Sequence, residues 1–488
     1  MKFSTFGQLK QEKGIPSSFR SVKDELRENL IDKLHRKKEI FPGIIGYEDS
    51  VIPGLLNAVM SKHNLILLGL RGQAKSRILR ALTTLLDDEL VCVDGCEIND
   101  DPFFPICATC IKRIKEEGDN LPIVYLPKEN RYVEKLATPD VTIADIIGDL
   151  DPIKAAKHGR DLSAHENIHF GLLPRGHRGI FAINELPDLA PKIQVGLFNV
   201  MQEGDIQIKG FPIRLPLDIF LVFSANPEDY TARGKIITPL KDRIGSQITT
   251  HYPHTLQNGI AITRQESWVN RNPSASLEIP DFIWEIVENI AFKGRQNKHV
   301  DKRSGVSQRL PIACLENALS NAERRTLATE DQKIVPRISD IYASIPAITG
   351  KLELEYEGEL KGSECIAKEL IESAILATFE KYFSDNEFNQ IIQWFDLGGE
   401  IKVDDQTSSN QYFSAMKSIQ GLEKILEAQG IQPKKSLEMT VSMIEFILEG
   451  LSGQKHLSRN ESRGYFSEAE QTKQEYRETI PPPKSTST

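Results

Sequence analysis

The sequence predicts an α/β fold, a parallel sheet sandwiched between helices, followed by a largely helical C-terminal half. Three observations carry that prediction. The stretch His63 to Leu86 reads as a strand, a glycine-punctuated turn and an amphipathic helix. Strand-like apolar runs then alternate with helical patterns as far as Pro253, the pattern of a parallel sheet covered on both faces. Beyond Pro253 the β-type runs largely stop.

At 488 residues the chain is too long for one ordinary core and predicts two or three domains. Hydrophobic residues make up 40% and charged residues 26%, which is globular usage, and no apolar run reaches the length needed to cross a bilayer. Met1 to Lys10 holds neither a continuous apolar segment nor a small-residue cleavage site, so the cytoplasm is the expected compartment. Six cysteines agree with reduced thiols there. The net charge of −9, from 69 acidic and 60 basic side chains, weighs against nucleic acid and leans toward protein partners.

Ser17 to His35 places Val22, Leu26, Leu30 and Leu34 on one stripe, with Ser21 and Asp24 as a capping pair, and predicts a docked lead-in helix. The turn-rich junction Phe41 to Asp49 leads into a helix over Val51 to Met60. Leu65 to Leu68, Leu90 to Asp94, Leu121 to Leu126, Gly179 to Ile183 and Ile219 to Ser224 are the apolar, strand-like segments. Phe282 to Phe292, Leu310 to Leu327 and Ile338 to Ile348 read as helices. The acidic break Glu353 to Glu359 precedes a long helical stretch, Glu364 to Phe395, and Leu437 to Leu451 is the last helix expected. The polar, proline-tailed remainder reads as disordered.

Gly69-Leu-Arg-Gly72-Gln73-Ala74-Lys75-Ser76 fits the phosphate-loop pattern GxxxxGK(S/T) except that Ala74 replaces the second glycine. The missing glycine costs one methyl group, which a helix-starting conformation accommodates. Backbone N–H groups of such a loop converge on phosphate oxygens; Lys75 neutralises the β- and γ-phosphates and Ser76 ligates magnesium. Gly179 to Glu185 is an apolar strand ending in Asn184-Glu185, the place of a Walker B pair, with Glu185 set to orient the attacking water. Asn184 stands where an aspartate would hold a magnesium-bound water, keeping a hydrogen-bonding oxygen but losing the charge, so lowered turnover is expected. Asn226 ends a second buried strand, Arg243 lies at the edge of the α/β domain, and Arg309 opens a helix of the helical half.

Taken in order, GLRGQAKS, Thr138-Pro-Asp with Gly148-Asp-Leu-Asp151, HFGLLPRGHRGIFAINELPDL, Gly204 to Gly210, FSANPEDYTARGKIITPLKDRIGS and SGVSQRLPI resemble the AAA+ ATPases of the MoxR and magnesium-chelatase I-subunit group, over about Phe41 to Ala328. The resemblance implies ATP and Mg2+ as cofactors and a homo-oligomeric, hexameric ring with nucleotide between subunits. Residues 1–40 become the helical lead-in, 41–255 the AAA+ domain, 256–350 a helical lid, 351–453 a further helical region and 454–488 the tail. On this carry-over Ile45, Gly46, Gly69, Gly72, Gln73, Ala74, Lys75 and Ser76 bind nucleotide, and Ser76 and, through water, Asn184 serve the metal. Glu185 and Asn184 take the Walker B positions, Asn226 is sensor 1, Arg243 the finger inserted in trans and Arg309 sensor 2. An insertion over about Asp149 to Arg175 and a hairpin over Gly204 to Pro212 would face the pore or a partner. A von Willebrand A-domain protein is the partner implied, in trans, since this chain has no DxSxS. The implied function is ATP-driven remodelling of a protein partner, as in a MoxR chaperone serving metal or cofactor insertion; a magnesium-chelatase motor subunit and a weakly hydrolysing nucleotide-gated scaffold are the alternatives. With neither a GAFTGA loop nor a helix-turn-helix, and with only Lys209 on the hairpin, a transcriptional activator is disfavoured.

Cys92, Cys96, Cys107 and Cys110 have spacings compatible with zinc, but Cys92 falls inside a predicted strand, where its side chain is core, so the four-cysteine site is disfavoured and the pair Cys107 and Cys110 is expected as weak ligands or free thiols. His158, His165, His169 and His177 are irregularly spaced and read as surface or packing residues.

Overall fold

The computed structural model describes residues 3–150, 168–207, 214–227, 234–271, 275–329, 331–384, 388–403, 407–430, 436–460 and 464–467. The chain divides into two compact units, Met1–His251 and Tyr252–Thr488.

The first unit is built on five parallel strands: β1 (Leu65–Leu68), β2 (Tyr132–Leu136), β3 (Gly179–Asn184), β4 (Ile219–Ala225) and β5 (Ser246–Thr249), in the spatial order β5-β1-β4-β3-β2. Alternation along the strands divides their side chains between two cores. Leu65, Leu67, Ile180, Ala182, Phe220, Val222 and Ile248 join one, beside helices Val22–His35 and Val51–Met60. Ile66, Leu68, Phe181, Ile183, Leu221 and Phe223 join the other, beside Pro191–Gly196 and Phe198–Gln202. Burial on both faces is why β1, β3 and β4 read as continuous apolar runs. The edge strands β2 and β5, YVEKL and SQIT, carry mixed polar sequence because an edge is partly solvated, and that hid them from the apolar pattern.

Leu90 to Asp94 and Leu121 to Leu126, expected among the strands of the parallel sheet, do not join it; the strands found there are Glu89–Val93 and Ile123–Pro127. They pair antiparallel with each other as a separate ribbon. Helix Phe6–Lys13 packs on the ribbon, with the Phe6 N–H donating to the Leu121 carbonyl at 2.9 Å. The lead-in helix begins at Val22, capped by the Ser21 side chain. It is tied down by a buried ion pair in which Arg131 donates to both oxygens of Glu25, at 2.7 and 2.6 Å.

The second unit is largely helical, with Asp281–Gln296, Arg309–Thr329, Ser363–Tyr382 and Leu437–Gly453 as its longest elements. Ile338–Ile348, expected as one helix, breaks at Ser344 just before Pro346. The acidic stretch expected as a break overlaps helix Tyr356–Lys361. The lid and the further helical region share one core running from Phe282 to Tyr465, so the region from 351 is not set apart. The expected tail begins with order: Ser458–Asn460 pairs with Gly464–Phe466, and Tyr465 is buried and exchanges backbone hydrogen bonds with Ile401. Residues 468–488, the rest of that tail, lie outside the described residues. Among the described residues no helix is long and apolar enough to cross a membrane.

Candidate functional site

In an open parallel sheet the carboxyl ends of the strands are where backbone groups and loop side chains converge on a ligand. Here β1 runs into Gly69, β3 ends at Asn184 and β4 runs into Asn226, and since these strands are neighbours the three ends meet. The Gly69 N–H donates to the Ala225 carbonyl at 3.1 Å, joining the loop to the residue before Asn226. Asn226 is buried.

Gly69 is fixed by space. A Cβ there would stand 1.9 Å from Thr250 Oγ1 and 2.2 Å from Gln73 Oε1, atoms that are themselves hydrogen-bonded at 2.8 Å. Gly72 lies at φ 72°. Ala74, at φ 55° and ψ 17°, is left-handed, and this corrects the expectation that it holds a helix-starting conformation. A side chain there is strained, which is why glycine suits the position. Lys75 is buried, and its ammonium donates to the carbonyls of Gly69 at 2.5 Å and Leu70 at 3.0 Å, arching over the loop it serves. Ser76 follows within helix Lys75–Ala81.

Ile45 and Gly46 are half-buried in the junction beside this loop. Their neighbour Tyr47 places its hydroxyl 2.9 Å from the Gln73 carbonyl and 2.7 Å from the His251 carbonyl.

Asn184 is buried and held from two sides. Its amide nitrogen donates to Glu134 of β2, and its amide oxygen accepts from Ser224 Oγ of β4 at 2.8 Å. The other Glu134 oxygen accepts from Arg80 Nε at 2.8 Å, and Arg80 lies one turn beyond Ser76. A carboxylate therefore sits next to the asparagine. Glu185 follows in the left-handed region, φ 54° and ψ 50°, and its N–H reaches Ser224 Oγ at 3.4 Å. A left-handed conformation at a non-glycine residue persists only where the surrounding structure imposes it.

Arg243 ends helix Thr238–Arg243. Its guanidinium bonds Gln202 Oε1 and, at 2.7 Å, the Pro239 carbonyl, and lies over the Phe198 ring. None of these partners belongs to the phosphate loop. Arg309 is exposed at the start of its helix in the second unit, its N–H donating to Ser307 Oγ. Glu134, Ser224, Tyr47 and Thr250 were not foreseen. Each enters through tertiary pairing, and only the polar Glu134 inside a strand left a trace in the sequence.

Of the four histidines, His158 and His165 lie outside the described residues, as do parts of the expected insertion and of the Gly204 to Pro212 hairpin, including Lys209. His177 is buried and accepts the Asp218 backbone N–H at Nδ1. Its pKa is pushed down to about 3 by burial and the nearby Arg178.

No protein-family model matches the chain. Among curated proteins, the magnesium-chelatase subunit ChlI of Guillardia theta is 30% identical over 252 residues, covering 50% of this chain and 67% of that protein. The chain belongs to the AAA+ group of magnesium-chelatase I subunits and MoxR ATPases. The ChlI of Cyanophora paradoxa is 28% identical over 253 residues, 50% of this chain and 68% of its own. The magnesium-chelatase 38 kDa subunit of Cereibacter sphaeroides is 30% identical over 239 residues, 47% and 64%. Among solved structures, a chain from the complex of BchI and BchD of magnesium chelatase gives a TM-score of 0.36 at 20% identity, covering 70% of this chain and 95% of that one.

Proposed function

We propose that this member of the group is a ring-forming ATPase that couples ATP binding and hydrolysis to remodelling of a protein partner, a von Willebrand A-domain protein in trans. The observation that supports it is the convergence of the Lys75 loop, the Asn184-Glu185 strand end and Asn226 on neighbouring strands.

In this reading the loop N–H groups and Lys75 take the β- and γ-phosphates, and Lys75 exchanges its bonds to the loop carbonyls for phosphate oxygens. The donor set fits a hard divalent cation, since it offers the Ser76 hydroxyl together with the carboxylate of Glu134 beside Asn184. Mg2+, when bound, neutralises charge on the phosphates. The charge that an aspartate at 184 would supply is carried instead by Glu134, one strand over, with Asn184 and Arg80 fixing its two oxygens. Glu185 orients the attacking water, Asn226 contacts the γ-phosphate, and Arg243 and Arg309 supply positive charge, the first to the neighbouring subunit's nucleotide.

Phosphate release and ATP binding by single variants test this. Glu185→Gln and Glu134→Gln should bind ATP and lose turnover, whereas Asn184→Asp should not gain turnover, because it sets a second carboxylate against Glu134. Wild type that assembles with ATP and releases no phosphate would overturn hydrolysis in favour of the nucleotide-gated scaffold. A second reading, a motor subunit of magnesium chelatase, is favoured by the relatives named above. The protein captured by the Glu185→Gln variant in ATP separates the two.

A further inference from the structure

Cys96, Asp100, Cys107 and Cys110 come together away from the phosphate site, with one ligand atom from each lying within 4.8 Å of the others. Cys92 is not among them. It is buried in the strand Glu89–Val93, its Sγ 3.8 Å from the Leu90 carbonyl. A tetrahedral zinc ion with Zn–S bonds of about 2.3 Å needs sulfurs roughly 3.8 Å apart, so the cluster closes on an ion by movements of about an ångström.

The backbone is arranged for this. Gly95, at φ 74°, turns the chain after the strand and delivers Cys96. Cys107 is the N-cap of helix Ala108–Glu117, and Cys110 lies in its first turn. Arg113 of the same helix donates to the Asp94 carbonyl at 2.6 Å, clamping the Cys96 turn to the helix that carries Cys110. Asp100 is fully buried, and its carboxylate accepts the backbone N–H groups of Asp101, Ile106 and Cys107. Those bonds fix the loop that presents Cys107, and because the Ile106 N–H is shared between the two oxygens, three donors leave one lone-pair site on the carboxylate for a metal.

Two simpler accounts fit poorly. As apolar filling, three thiols would not be grouped round a buried carboxylate. As a disulfide site, three sulfurs leave one over. The ribbon's own core is also very small, with Phe6, Leu9, Val93, Cys110, Leu121 and Ile123 as its buried members, and Cys96 and Cys107 sit where it meets the sheet core, packed against both. A module with so little apolar burial is of the kind that a bound metal stabilises.

We propose that Cys96, Cys107 and Cys110, with Asp100 as fourth ligand, bind a structural zinc ion that holds the ribbon, helix Ala108–Glu117 and helix Phe6–Lys13 together. The three thiols lose their protons on binding and ligate as thiolates.

The test uses the full chain, purified without added metal, analysed for zinc and then exchanged with Co2+. The expected result is one zinc per chain and a cobalt form with sulfur-to-metal charge transfer in the near ultraviolet and the intense visible bands of a tetrahedral site. Cys96→Ser and Cys107→Ser should each lose the bound metal, and Cys92→Ser should keep it. Asp100→Asn should keep the sulfur charge transfer but shift the visible bands. Wild type without stoichiometric zinc and without sulfur charge transfer overturns the proposal, and so does equal metal loss from Cys92→Ser. An unchanged cobalt spectrum in Asp100→Asn overturns the fourth ligand. Should the serine variants not fold, the wild-type metal content and cobalt spectrum decide alone. Wild-type ATP binding, measured beside them, keeps failure here distinct from failure of the nucleotide reading.

Discussion

The phosphate loop is anchored on a sheet whose two faces bury, among the described residues, 23 and 22 apolar side chains, whereas the ribbon beside the cysteine cluster has a core of only six, with Cys96 and Cys107 packed against both that core and one face of the sheet. The difference in foundation goes with a difference in how each site is held. At the phosphate loop the scaffold tolerates strain, keeping Ala74 and Glu185 left-handed against their preference. The cysteine loop also carries a left-handed residue, Asn99, and is organised by bonds to one buried carboxylate. Strain therefore does not separate the two sites; what does is the ribbon's small core, which leaves the cysteine loop to contribute to its own stability.

The largest effect should come from attacking the large core at the buried ion pair between Glu25 and Arg131. Glu25→Gln leaves the Arg131 guanidinium buried with half its partners, at a cost of about 3–5 kcal/mol. Denaturant unfolding should show that loss, and nucleotide binding and sheet protection should fall in one transition. Two separated transitions would show that the phosphate loop does not depend on the lead-in helix. Lys75→Ala removes a charged donor from the binding site and should weaken ATP binding by about 3 kcal/mol, roughly a hundredfold. Its melting temperature without nucleotide should stay near wild type. Tight ATP binding by this variant would remove the site assignment.

The cysteine module should answer in the opposite way. Asp100→Ala leaves the N–H groups of Ile106 and Cys107 without their acceptor, a local cost of about 3 kcal/mol. Amide exchange should accelerate across 89–127 and stay slow in β1 and β4, with ATP binding unchanged. Uniform acceleration would mean that the module and the sheet unfold together.

His177 tests the sheet side by pH. Its pKa is about 3 in the fold against an ordinary 6.5, so the unfolded chain takes up the proton first, and stability is lost as pH falls from 6.5 toward 3, by about 1.4 kcal/mol per unit. Asp218 beside it is raised to about 6 by burial and opposes this, its contribution falling as pH rises from 3.8 to 6. His177→Asn offers an oxygen to the same backbone N–H without titrating. Subtracting its unfolding free energy from that of wild type across pH 3–7 should isolate the His177 slope. A flat difference would show that His177 takes up its proton at the same pH in the fold as in the unfolded chain.

What could be read beforehand follows the same division. The phosphate loop is contiguous, so Gly69, Lys75 and Ser76 announce themselves in eight residues, and the buried strands β1, β3 and β4 are continuous apolar runs. Glu134 and Ser224 reach Asn184 only through strand pairing, and no local spacing connects residues 134, 184 and 224. The cysteines were visible as a group, but Cys92 belongs to a strand and Asp100 carries no motif, so the set that assembles differs from the one the spacing suggests. The antiparallel pairing of Glu89–Val93 with Ile123–Pro127 was likewise hidden, because an apolar strand looks the same whichever sheet receives it.

The smallest effect is at Ala74, where the sequence departs from the usual glycine. A left-handed alanine pays a steric cost of about 1–2 kcal/mol that glycine avoids, and glycine gives back part of that gain through the greater freedom of its unfolded chain. Ala74→Gly should therefore stabilise the chain by about 0.5–1 kcal/mol, read as a small rise in the unfolding midpoint with an unchanged denaturant slope. The loop already holds the left-handed geometry, so ATP affinity should change little. If the variant is no more stable than wild type but binds ATP more tightly, the alanine is held left-handed only when nucleotide is bound, and the large core does not impose that strain on the empty loop.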